Sequence, residues 1–190
     1  FADKVATEYR KDNWNWDLME KYHHDAKAIN RVAREYGLMT TSAQQESKGL
    51  QYYENAYIWR EKAGQMSVAE MKRRIYDSVV EFMFNGYEWL HATSISGLNT
   101  GRQKNYLGVD FSMESDITMA HFTMVSEDQV KYASKKNFNA SPITGKAATA
   151  KVDPQEVAKA QTAYDSAFKA NQLALASKGV AQTTYNRKAA

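Results

Sequence analysis

Residues 20–23 (EKYH) and 88–91 (EWLH) both read Glu-x-x-His. On a helix this spacing sets a carboxylate and an imidazole on one face. In helix-bundle oxidases two such pairs, with one Glu from each of two further helices, hold two iron ions. Glu54 lies midway, 34 residues from Glu20 and 34 from Glu88. A fourth carboxylate has no obvious place, because only 19 residues precede Glu20 and most belong to the same predicted helix. Direction weighs further against metal. Around Glu88 the apolar stripe is Val68, Met71, Ile75, Val79, Phe82, Gly86 and Trp89, and a turn of about 100° per residue puts Glu88 and His91 roughly 140–160° from its centre. Glu20 and His23 share a face with Lys27, Arg31 and Arg34, cations that would repel a metal ion. The expectation is that Glu20, His23, Glu88 and His91 bind no metal, with a ferritin-like di-iron oxidase as the disfavoured alternative.

The other histidines offer little. His23 and His24 are adjacent and diverge by about 100° on a helix, while His91 and His121 have no Cys or paired His at ligand spacing. The sequence contains no phosphate-binding glycine loop, no Gly-x-Ser-x-Gly elbow and no His-Glu-x-x-His run. With no cysteine at all, disulfides, thiolate metal sites and a Cys nucleophile are excluded, and either redox setting would suit the chain. The reading is therefore non-enzymatic, with no catalytic residue, no cofactor and no metal.

The elements that would carry these residues read as helices, because Pro is only 2 and Gly only 9 in 190 residues and little interrupts a helix. Residues 4–36 lack both, and from Asp12 onward Leu18, Tyr22, Ala26, Ile29, Val32, Ala33 and Tyr36 form one stripe before Gly37 stops the helix. Ser42 and Gln45 have capping-box spacing for a second helix ending near Gly64, and Ser67 with Glu70 opens a third to about Ala92. Residues 93–105 then read as a loop. "YLGVDFSMESDITMAHFTMV" shows no helical period and predicts irregular chain with one or two short extended pieces. Ser126 and Gln129 cap a short helix, "NFNASPITGKAATAK" is an arm, and Asp153, Pro154 and Glu156 start a last helix reaching about Ser177.

This gives an all-α fold: three consecutive helices (1–92), an irregular segment (93–137), and an arm with a C-terminal amphipathic helix (138–190). Aromatics on two faces of the second and third helices predict a partner interface through Tyr52, Trp59, Val80, Phe84 and Tyr87. The narrow stripe Val157, Tyr164, Phe168 and Leu175 extends it to the tail. That tail carries seven cations against three carboxylates, too sparse and too free of interleaved aromatics to indicate nucleic acid.

No apolar run approaches the roughly 18 residues that span a bilayer. Beginning at Phe1, the chain reads as processed, or as lacking its first residues. Together these features point to a structural subunit of a large multi-protein assembly, binding other subunits and copies of itself. The composition, polar helices rich in Asn, Gln, Tyr and Ala without Cys, is similar to that of internal or core virion proteins of tailed bacteriophages. The alternative assembly is an organellar energy-converting complex, with this chain as a processed accessory subunit.

Overall fold

In a computed structural model the protein forms a three-layer α/β unit. The structure describes residues 1–61, 64–84, 89–101, 103–114 and 116–142, with scattered positions from Gln155 to Lys178. The chain divides into two units, Phe1–Ser141 and Pro142–Ala190. In the second, the described positions from Gln155 to Lys178 are helical and exposed. Tyr87, Val157, Tyr164, Phe168 and Leu175 of the expected interface lie outside the described residues, as does Glu88.

The first unit is built on a three-stranded antiparallel sheet, which overturns the all-α helical-bundle expectation. Its strands are β1 (Glu54–Trp59), β2 (Asn105–Glu114) and β3 (Ile117–Ser126), in the order β1-β3-β2. β2 and β3 are a tight hairpin in register from Asn105↔Ser126 to Glu114↔Ile117, while β1 pairs from Glu54↔Thr123 to Trp59↔Thr118. β3 is central and buried along nearly its whole length. A strand covered on both faces shows no polar/apolar alternation, so "ITMAHFTMVS" carries no period-two signal despite its β-branched and aromatic content. "ENAYIW", expected within the second helix, is β1.

The expected first helix is three: α1 (Ala2–Lys11), α2 (Trp16–Tyr22) and α3 (Ala26–Glu35). Asn13 and His23 adopt left-handed backbone at φ 51 and 63 and break it twice. Asn15 and Asp25 restart it, their side chains accepting from the N–H groups of Leu18 and Ala28. The expected stripe nevertheless survives: Leu18, Tyr22, Ile29, Val32, Ala33 and Tyr36 lie in or against one core, and Ala26 is buried. The Ser42/Gln45 capping box is present, but α4 is only Ala43–Glu46. α5 (Val68–Phe84) is followed by a separate α6 (Leu90–Ile95) and a 3-10 turn at Leu98–Thr100. The Ser126/Gln129 box opens α7 (Glu127–Tyr132).

Each sheet face buries one cluster. On one side Ile117, Met119 and Val125 of β3 meet Val5 and Tyr9 of α1 and Ile29 and Val32 of α3. Gly108 of β2 lets α1 approach, since a Cβ there would lie 3.0 Å from that of Ala2. On the other side Ala120 and Phe122 pack with Phe111 and Phe82, and the rings of Phe82 and Phe122 meet edge-on at 5.4 Å. Among the described residues no helix is long and apolar enough to cross a membrane.

Candidate functional site

β1 opens on Glu54, which faces α1 and α3 and is fully buried. Gln51 fixes the start of the strand by accepting from the N–H groups of Tyr53 and Glu54 and donating to the Glu54 carbonyl at 2.8 Å. The carboxylate meets three polar side chains. Its Oε1 lies 2.6 Å from His121 Nδ1, and its Oε2 lies 2.8 Å from His24 Nδ1 and 2.5 Å from the Tyr9 hydroxyl. Burial alone would push this carboxyl up, but the charge and hydrogen bonds of His121 and His24 outweigh it and hold Glu54 well below the usual carboxylate range. An ionised Glu54 can only accept, so both Nδ1 atoms and the phenol carry the hydrogens.

The network continues outward. His121, on the central strand, has its Nε2 2.7 Å from Ser112 Oγ on β2, and its ring meets that of Tyr9 at 4.5 Å. The Tyr9 hydroxyl accepts from the Asp25 N–H at 2.8 Å. Burial and the Glu54 charge push the Tyr9 phenol up, so it stays protonated. Five elements thus contribute to one buried polar cluster: α1, the α2–α3 junction, and all three strands.

His24 is the member that reaches solvent. It sits between the left-handed His23, which ends α2, and Asp25, which caps α3, and its side chain is one-fifth exposed. It opens on a cavity of about 340 Å³ lined by Asp12, Trp14, Leu18, Tyr22, Asp25, Ala26, Lys27, Glu46 and Ser47. Gly49 holds the loop after α4 against this wall. Its φ is +78, and a Cβ would fall 1.9 Å from the Tyr22 carbonyl oxygen.

Asp25 is the second unusual carboxyl. Oδ1 accepts from Ala28 N–H at 2.9 Å, and Oδ2 is buried beside the Asp12 carboxyl with no donor among the described residues. Burial pushes this carboxyl up to about 7, the Ala28 bond pulls it down, and the neighbouring Asp12 carboxyl pushes it up further. The indole N–H of Trp14, also on the cavity wall, is buried without an acceptor. Ser47, on the cavity wall, donates to the Gln44 carbonyl, while the Ser112–His121 pair, which also engages Glu54, is buried.

The residues first singled out lie elsewhere. Glu20 and His23 are exposed. His91 does not face outward as the helical wheel implied: its Nδ1 is 3.0 Å from Asn55 Oδ1 and its ring stacks near Phe82 at 4.6 Å. Among the described residues no group of three or more His, Asp and Glu is arranged to hold a metal ion. Tyr52 and Phe84 are exposed, Val80 is half-buried, and Trp59 is half-buried against Tyr57 with the Arg74 guanidinium over its ring. Trp59 lies on β1 and Tyr52 just before it, so the helix that was expected to carry both is not formed. Sequence reasoning missed Tyr9, His24, Asp25, Ser112 and His121, and weighed Glu54 only as an iron ligand. The available signal was ionisable groups set into apolar runs, above all the His of "MAHFTMV".

No family model matches the sequence, and no curated protein matches it. Among solved structures the chain is similar to the CAP domain of Enterococcal PrgA, at 24% identity and a TM-score of 0.46. The match covers 66% of this chain and 49% of that one, so the chain spans about half the length of the solved chain it matches.

Proposed function

We propose that the chain is a ligand-binding domain in which His24, oriented by Glu54, offers its imidazole to a small ligand seated in the adjoining cavity. The observation that carries this reading is a completely buried, ionised Glu54 one of whose donors, His24, opens onto that cavity. Burying a carboxylate costs several kcal/mol before pairing, and an apolar replacement of the same shape is often no less stable. Strongly perturbed groups beside a cleft are the physical signature of a functional site. Glu54 fixes hydrogen on His24 Nδ1, which leaves Nε2 as the atom free to accept or deliver a proton. That is the arrangement general acid–base chemistry requires.

A fragment screen followed by amide and imidazole resonances tests it. Binders should shift Trp14, Tyr22 and His24 together, and His24→Ala should abolish those shifts while the fold persists. Binders that map only to other surfaces would refute the assignment.

Docking to other proteins as a non-enzymatic subunit is the second reading, favoured by exposed Tyr76, Phe84, Trp89 and Leu90 on α5 and α6. Neither a virion core nor an organellar energy-converting complex draws support from the comparisons.

A further inference from the structure

We infer that the cavity beside His24 selects an organic cation, a protonated amine or guanidinium carried on an apolar stem, with Asp25 and Asp12 as its anionic seat. This rests on the cavity being the ligand site.

Asp25 is only 3% exposed, it lines the cavity, and its Oδ2 meets no donor. Its neighbour is the Asp12 side chain, another carboxyl, whose Oδ2 accepts from Arg31. Two carboxyls side by side lack a cation between them, or share a proton in its place. Among the described residues no cation sits on Asp25 Oδ2. Arg31 donates to Glu8 through Nε and to Asp12 through Nη2, and so is committed away from Asp25 Oδ2. Lys27 is exposed at the rim, and His24 points its Nδ1 at Glu54. Glu46, which accepts from Asn30, adds a further negative charge to the wall.

The remaining lining explains why the cation is organic. Trp14 and Tyr22 present rings with centroids 6.4 Å apart, and Leu18 adjoins them. Such a wall accepts an alkyl stem and attracts a cation to its ring faces. A bare metal ion would gain nothing from these groups. The unsatisfied Trp14 N–H adds a donor for a carbonyl or hydroxyl on the same ligand.

The groups that set the charge state of Asp25 are its own burial, the Ala28 N–H and Arg31 on α3, and Asp12 at the C-terminal cap of α1. A bound cation needs Asp25 ionised, so protons compete with it.

The test titrates the full chain with n-pentylammonium, 1-pentanol and pentanoate, following Trp14, Tyr22 and His24 by NMR. The ammonium should bind at least tenfold more tightly than the other two, and its affinity should fall about tenfold from pH 8 to pH 6 as one proton is taken up. Asp25→Asn should cost the ammonium about tenfold or more and leave 1-pentanol unchanged. Asp12→Asn, at the exposed end of α1, provides the same comparison without touching the buried side chain. Pentanol or pentanoate binding as tightly as the ammonium would overturn cation selection while leaving the cavity as the ligand site. Ammonium binding undiminished in both variants would also overturn it. No shift at the cavity with any probe would remove both readings.

Discussion

Replacing Asp25 by Asn should stabilise the protein, and should do so increasingly as pH rises. Asn is as good an N-cap as Asp, so the bond from Ala28 N–H to the side-chain oxygen is kept. What changes is the proton. The carboxyl titrates near 3.8 when exposed and at about 7 in the fold. Between those values the native state holds a proton that the unfolded chain has lost, so folding stability falls as pH rises through this window. At about 1.4 kcal/mol per unit, the accumulated cost is roughly 1.5 kcal/mol at pH 5 and about 4 kcal/mol at pH 8. Asp25→Asn removes it. The stability difference between variant and wild type should therefore grow by about 2–3 kcal/mol from pH 5 to pH 8, measured by urea unfolding at both. Comparing two pH values cancels any constant cost of the amide itself. A difference that stays flat, or shrinks with pH, would show that Asp25 is ionised in the fold and that its Oδ2 has a partner.

Glu54→Gln should cost about 3–5 kcal/mol, because an amide cannot accept from His24, His121 and Tyr9 together; calorimetry near pH 7 checks this. Since the Glu54 carboxyl is depressed below its ordinary 4.5, its contribution is present above that value and fades as pH falls, so the gap between variant and wild type should narrow in acid. Gly49→Ala should cost at least about 2 kcal/mol, combining a left-handed φ with a Cβ pressed onto the Tyr22 carbonyl; thermal unfolding measures it. Amide exchange should be slowest along residues 117–126, the central strand, and rapid exchange there would contradict the sheet.

Local chemistry was legible where it depends on neighbours in sequence. The Ser42 and Ser126 capping boxes, the Gly37 stop and the stripe from Leu18 to Tyr36 all hold. Both boxes, however, open short helices, of four and six residues, because a cap says where a helix begins and nothing of how far it runs. The sheet was illegible for a different reason. β3 is flanked by strands on both edges and by helices on both faces, so its residues are apolar or small on either side and lose the alternation that identifies a half-buried strand. The stretch leading into β1 misled more actively, since Leu50, Tyr53 and Tyr57, spaced by three and four, match a helical period.

The site was hidden by the same topology. Glu54 and His121 are 67 residues apart, and Tyr9 and His24 come from α1 and the α2–α3 junction, a stretch the sequence reads as one helix. Only the antiparallel pairing of β1 with β3 brings the acid beside the imidazole, with Ala56 opposite His121 and Glu54 two residues further along the same face. The two left-handed residues that broke the predicted helix, Asn13 and His23, lie at the two turns flanking α2. Without those breaks, His24 and Asp25 would continue a helix and could not stand where α3 begins, at the mouth of the cavity. The irregularity that defeated helix prediction is therefore what builds the site, and a break at His23 followed at once by a histidine and a capping aspartate was its one visible trace in the sequence.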